Sequence, residues 1–125
     1  MHLEPYQNLK PAVFETMRRT MADFDEIARR MEDPRSLLQH LDEVGVERAC
    51  LINYAAPEVM GLGLDVNAFV AKYASEDPKR LIPFGGVHPR FTKDPEGDIE
   101  RLASMLMVSM SEIGSILPAT WTTFG

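Results

Sequence analysis

The spacing of apolar residues changes several times along the chain, and this change restricts the fold more than any other feature. In four stretches the apolar residues recur every three or four positions, which is typical of helices with one buried face. Two short apolar runs, within residues 46–54 and 81–87, are typical of parallel strands that are buried on both faces. The predicted order is helix, helix, strand, helix, strand, helix. This alternation predicts an α/β architecture with right-handed crossovers.

Local signals mark the ends of the predicted helices. Residues 11–31 carry one continuous apolar stripe and are predicted to form a single helix. Asp33 and then a proline predict the start of the next helix, because aspartate caps helices and proline is tolerated at the first helical position. Gly45 predicts its end, since glycine readily adopts the left-handed conformation. The same Asp-Pro pair at residues 94–95 predicts the last helix, and Asp65 the helix between the strands.

Two predicted strands are too few to close a barrel. A (β/α)8 barrel needs eight strand–helix units and about 250 residues, whereas this chain has 125 residues. We therefore predict a partial (β/α)8 TIM-barrel-like section with two or three parallel strands, the candidate for the third being residues 113–117. The helical periodicity fades after about residue 105. Residues 1–103 are accordingly assigned to the barrel section and residues 104–125 to a divergent tail.

Composition and charge exclude several classes of partner. A net charge of −6 without clustered lysines and arginines argues against nucleic acid. The sequence has no apolar run long enough to span a bilayer and no leader, so a membrane is not an expected partner. The single cysteine, Cys50, forms no internal disulfide and indicates a reducing compartment. A soluble cytoplasmic protein is expected, with Cys50 in the core because apolar residues flank it.

Polar residues that follow the two predicted strands are candidates for contact with a substrate. Asn53 and Tyr54 follow the first strand, and His88 follows the second. Ligands of α/β folds bind at the carboxyl ends of the strands, so these side chains are expected at one edge of the sheet. The alternative is that Asn53 and His88 only hydrogen-bond the loops that they begin. The sequence contains no complete local metal motif and no glycine-rich nucleotide loop, so catalytic residues stay unassigned.

Three passages together resemble the amidohydrolase-related (amidohydrolase 2-like) metal-dependent hydrolases, which include aminocarboxymuconate-semialdehyde decarboxylase-like enzymes. They are residues 37–49 (LLQHLDEVGVERA), 74–80 (ASEDPKR) and 81–90 (LIPFGGVHPR). In that family a helix ending in Asp-Glu-x-Gly-Val-x-Arg-Ala leads into the second strand. An Asp-Pro-x-Arg-x-x-Pro-Phe passage leads into the third. The resemblance covers residues 1–102 and is moderately specific as a set.

The resemblance implies a divalent metal, with zinc as the first choice, and a small-molecule substrate whose C–N or C–C bond is broken. His2 would match the second histidine of the family's His-x-His motif, a metal ligand, although its position alone predicts a solvated terminus. The family's later histidine and aspartate ligands have no counterpart here, and a catalytic zinc needs about three protein ligands. We therefore expect a truncated or frameshifted hydrolase or decarboxylase fragment that is inactive alone and binds no metal stably.

Two other interpretations stay open. The chain could be a small non-catalytic α/β binding or interaction domain whose exposed strand edges are covered by a partner or by self-association. It could also be a complete enzyme with His88 as its general base, for which no nucleophile stands at a recognisable spacing. A cooperative unfolding transition of the monomer would favour the binding domain, and a molten or aggregating chain would favour the fragment.

Overall fold

The structure is a computed structural model that describes residues 1–110, and it confirms the predicted alternation of helices and strands. The described residues form a mixed α/β fold with two parallel strands in an open sheet; a barrel is not shown. After a 3-10 turn at Tyr6–Asn8, the elements are α1 (Pro11–Thr20), α2 (Phe24–Glu32), α3 (Pro34–Glu43), β1 (Ala49–Leu51), α4 (Val66–Ala74), β2 (Leu81–Pro83) and α5 (Pro95–Met110). The candidate third strand, residues 113–117, lies outside the described residues.

The sheet is extended by the first residues of the chain. Strands β1 and β2 pair in parallel, with Cys50 opposite Ile82. On the other edge of β1, the backbone N–H of Leu3 donates to the carbonyl of Ile52 at 2.8 Å, and the N–H of Ile52 donates to the carbonyl of Met1 at 2.9 Å. Residues 1–3 therefore lie parallel to β1, on the side opposite β2, and form a third extended segment.

Within the part of the chain that the structure describes, the helices cover only one face of this sheet. Leu3, Leu51 and Leu81 have no exposed surface and belong to the core cluster. The opposite face, which we call the open face, consists of alternate residues of the three segments: His2, Cys50, Ile52, Ile82 and Phe84. Cys50 is exposed, so its predicted place in the core is wrong, as is the expectation of strands buried on both faces. Burial of the second face would need another layer, which a strand's own sequence does not specify.

Residues 11–31 form two helices, and the prediction of a single helix is wrong. Helix α1 ends at Thr20, whose hydroxyl donates to the carbonyl of Thr16 at 2.8 Å. Helix α2 then begins at Phe24, whose ring packs edge-on against Phe14 with the centroids 5.2 Å apart. The apolar spacing continues across the break, so periodicity alone did not reveal it.

The predicted helix ends are largely confirmed. Asp33 and Asp94 each accept a hydrogen bond from a backbone N–H two or three residues further on, at 3.0 and 3.1 Å. Gly45, directly after the last turn of α3, has a φ of 71°. Asp65 precedes α4 as predicted, but its side chain makes no capping hydrogen bond. Helix α5 is continuous to Met110 and so runs past the boundary assigned at residue 103.

Candidate functional site

The carboxyl ends of the three extended segments bring His2 and Tyr54 together. The Tyr54 hydroxyl lies 3.3 Å from Nε2 of His2, and the two rings stack with their centroids 4.6 Å apart. Both side chains are exposed, while the backbone of His2 is held in the sheet by its bridge to Ile52. His2 is thus solvent-accessible as its position predicted, but it belongs to the sheet edge. Nδ1 of its ring has no hydrogen-bond partner among residues 1–110.

Asn53 is turned toward a buried amide network. Its Nδ2 donates to Oδ1 of Asn67 at 3.2 Å and to the carbonyl of Phe84 at 3.0 Å. Asn67 in turn bonds both backbone groups of Gly86, each at 2.9 Å. The network fixes the segment after β2 to the end of β1 and to α4. The sequence interpretation missed Asn67, whose only signal was a polar residue inside the apolar stripe of α4.

His88 is separate from the His2–Tyr54 pair. Its half-buried ring accepts a hydrogen bond from the backbone N–H of Arg90 at 3.3 Å, and its carbonyl accepts from the N–H groups of Phe91 and Thr92. Within the described part of the chain it makes no hydrogen bond to His2, Asn53 or Tyr54. His88 therefore hydrogen-bonds the loop that it begins.

Glu4 and Asn67 are the two buried polar side chains among the described residues. The sequence analysis did not single out Glu4. It is 7% exposed, and no described residue hydrogen-bonds or ion-pairs with its carboxylate. The pKa of Glu4 is raised, because the effect of burial is larger than the opposing effect of the charge of His2. Burial, and then the negative charge of Glu4, raise the pKa of Tyr6. In the sequence, the only feature that distinguished Glu4 was its place two residues after His2.

The described residues contain no complete metal centre. Among residues 1–110, no group of three or more histidine, cysteine, aspartate or glutamate side chains is arranged to hold a metal ion. A cavity of about 140 Å³ between α4 and α5 touches Asn67 and the ion pair of Arg101 with Asp98. Neither His2 nor Tyr54 lines it. Of the described helices, none is both long and apolar enough to cross a membrane.

Comparisons with protein-family models, with curated proteins and with solved structures find no match to this chain. Any inference about function therefore depends on the sequence and on the geometry of the described residues.

Proposed function

We propose that this chain is a section of an amidohydrolase-type metal-dependent hydrolase or decarboxylase, in which His2 is one ligand of a divalent metal. The observation that carries the proposal is the position of His2, at the carboxyl edge of three parallel segments and on the face turned away from the helices. In (β/α)8 barrels that face is the interior, and the strand ends hold the active site. The resemblance of residues 37–49 and 74–90 to the family supports the same proposal.

The character of the open face agrees with a barrel interior. Barrel interiors are filled by branched and bulky side chains from all strands, while helices cover the outside. Here Ile52 and Phe84 are 37% and 49% exposed, although the opposite face of the same strands is buried. Further strands would bury these side chains, and apolar burial contributes about 25 cal/mol for each Å².

The donor chemistry of His2 suits such a metal. Its imidazole is exposed, and Nδ1 is without a protein partner among the described residues. A divalent metal bound there would lower the pKa of its bound water and polarise a substrate carbonyl. Tyr54, stacked on the ring of His2, would border the substrate. Because a catalytic zinc takes about three protein ligands, the proposal includes that the chain alone has no turnover.

The proposal is tested by titrating zinc against a chromophoric chelator with the wild-type chain and two histidine variants. We expect His2→Ala to weaken zinc binding at least about tenfold. His40→Ala, which removes a half-buried histidine on α3, serves as the matched control and should leave the affinity unchanged. Equal affinity of the wild type and His2→Ala would refute His2 as a ligand. Zinc- or manganese-dependent turnover that His2→Ala abolishes would refute the inactivity of the chain alone.

A second candidate function is a non-catalytic binding domain, which the exposed apolar open face favours. A domain of this kind would unfold cooperatively as a monomer in urea, with coincident transitions by circular dichroism and fluorescence. A barrel section would instead unfold over a broad range or associate.

A further inference from the structure

We infer that the cavity between α4 and α5 is a binding site for a small neutral alcohol, with an apolar ring or branched chain of about the size of phenol. The inference goes beyond the proposed function and does not depend on it, because neither His2 nor Tyr54 lines this cavity.

The first argument is the place of the cavity in the fold. Its wall includes Val87, which follows β2, and Asn67, the second residue of α4, together with side chains from the first three turns of α5. Asn67 is hydrogen-bonded to Asn53 after β1 and to Gly86 after β2. The cavity therefore adjoins the carboxyl ends of both strands, and ligands of open α/β sheets bind at that end.

The second argument is the size of the cavity and its apolar wall. The volume is about 140 Å³, and a cavity of about 150 Å³ with an apolar lining accommodates benzene. Four of the described side chains that line it are apolar: Leu64, Val87, Leu102 and Met105. An apolar ring or branched chain that replaces water against these side chains is stabilised by the hydrophobic effect.

The third argument is the pair of polar groups in the same wall. The side-chain nitrogen of Asn67 has two N–H groups and makes one hydrogen bond among the described residues, to the carbonyl of Gly86 at 2.9 Å, so one N–H is left for a ligand. Asp98, whose side chain is 16% exposed, pairs with Arg101 and keeps further acceptor positions on its carboxylate. One donor and one acceptor match a hydroxyl group, which both accepts and donates.

The charges around the cavity favour a neutral ligand. The guanidinium of Arg101 lies near two carboxylates, since it pairs with Asp98 and is 3.9 Å from Asp94. These three groups carry a net negative charge, which repels an anion. An ammonium group would be attracted by Asp98, but it has no lone pair to accept the N–H of Asn67. A hydroxyl group can bond to both side chains.

The test compares phenol with benzene in NMR titrations of the full chain at neutral pH. We expect phenol to bind about tenfold more tightly, because its hydroxyl gains a hydrogen bond to a charged carboxylate. Phenol should also shift the side-chain amide signals of Asn67. Asp98→Asn, which removes the charge, should reduce the preference for phenol.

A second pair of variants locates the ligand. Val87→Phe adds volume in the wall of the cavity and should abolish saturable phenol binding. Val59→Phe, the same change at a valine that is 68% exposed and does not line the cavity, should leave phenol binding unchanged.

The wild-type titrations decide the inference even if a variant does not fold. Phenol that binds no more tightly than benzene, or that leaves the amide signals of Asn67 unchanged, would overturn it. Val87→Phe that folds and binds phenol like the wild type would also overturn it, because the ligand would then lie elsewhere. Zinc titrations of His2→Ala concern a different site, so their failure leaves this result unaffected.

Discussion

Asn67 and Glu4 are the two buried polar residues among those that the structure describes, and their surroundings differ. Asn67 uses both ends of its amide, and the carboxylate of Glu4 is left without a partner among the described residues. A buried polar group that is hydrogen-bonded stabilises a unique arrangement, whereas an uncompensated one costs free energy. Asn67 thus holds the strand ends in place.

Replacement of Asn67 by leucine should lower the free energy of unfolding by about 2–3 kcal/mol, because the N–H of Gly86 and the amide of Asn53 lose their acceptor. Urea unfolding followed by circular dichroism measures the change. Asn8→Leu, at an exposed asparagine, is the control. A loss below about 0.5 kcal/mol for Asn67→Leu would show that the network contributes no more than an ordinary surface residue.

Tyr73→Phe should lower the free energy of unfolding by about 1–2 kcal/mol. The buried hydroxyl of Tyr73 donates to the carbonyl of Arg30, so it connects α4 to α2. Burial, and then the charge of Asp33, raise the pKa of this phenol, so the folded protein favours the neutral form. Above about pH 10 the unfolded chain ionises first, and the wild type loses stability that Tyr73→Phe does not lose.

The difference between wild type and Tyr73→Phe should therefore shrink as the pH rises from about 9 to 11. Urea unfolding at a series of pH values measures it. Tyr54→Phe, at an exposed tyrosine, should show neither the loss nor its pH dependence. A Tyr73→Phe effect that stays constant across this range would contradict the assignment.

At the scale of elements, the docking of α5 depends on the absence of a side chain at Gly85. A Cβ atom at this position would lie 2.1 Å from a methyl carbon of Leu102, far inside van der Waals contact. Residue 85 lies two positions after the last residue of β2, so the contact limits how closely Leu102 of α5 approaches the strand end. The same helix also packs against α4.

Gly85→Ala should destabilise the chain by about 1–3 kcal/mol, because the side chain of Leu102 must move away from the added methyl group. Leu102→Ala in the same chain should restore part of the loss, and a double-mutant cycle from urea unfolding measures the coupling. Gly86→Ala is the matched control, since a Cβ there would meet its nearest atom at 3.6 Å. Additive effects of Gly85→Ala and Leu102→Ala would exclude the contact.

The element boundaries show which helix ends can be predicted from interactions between adjacent residues. The starts at Asp33 and Asp94 and the end at Gly45 were predicted, because capping and left-handed turns depend on a few adjacent residues. The break between α1 and α2 was missed, because it depends on where Phe14 and Phe24 can both reach the core. The strands are three residues each, shorter than the apolar runs, because a strand extends only as far as its residues pair with a neighbouring strand.

At the scale of the whole molecule, the main feature is that the described helices cover only one face of the sheet. Ile52 and Phe84 stand exposed on the open face, and large exposed apolar patches favour association. We expect the chain to self-associate with rising concentration through this face.

The double variant Ile52→Thr, Phe84→Thr should shift the association to higher protein concentration, as measured by sedimentation velocity. Threonine keeps a β-branched side chain in the strand while it removes apolar surface. Val44→Thr, at a valine 54% exposed beyond α3, is the control for an exposed apolar residue elsewhere. A wild type that stays monomeric at all concentrations, or an equal effect of Val44→Thr, would contradict this expectation.

The candidate site was predicted only in part. The rule that polar residues collect at the carboxyl ends of parallel strands placed Asn53 and Tyr54 at the edge where they lie, and the resemblance drew attention to His2. The contact of His2 with Tyr54 spans 52 positions of the chain, and the amide network joins Asn53 and Gly86 through Asn67. Such contacts follow from the packing of distant elements, which no local pattern specifies.

The order of the elements and most helix ends follow from local patterns in the sequence, because periodicity and capping act over a few residues. Three features depend on how the elements pack: residues 1–3 join the sheet, Cys50 is exposed and Glu4 is buried. The physical reason is that the burial of a side chain depends on which elements cover it. Which elements cover a side chain depends on how the layers assemble, and the residues next to that side chain in the sequence do not specify it.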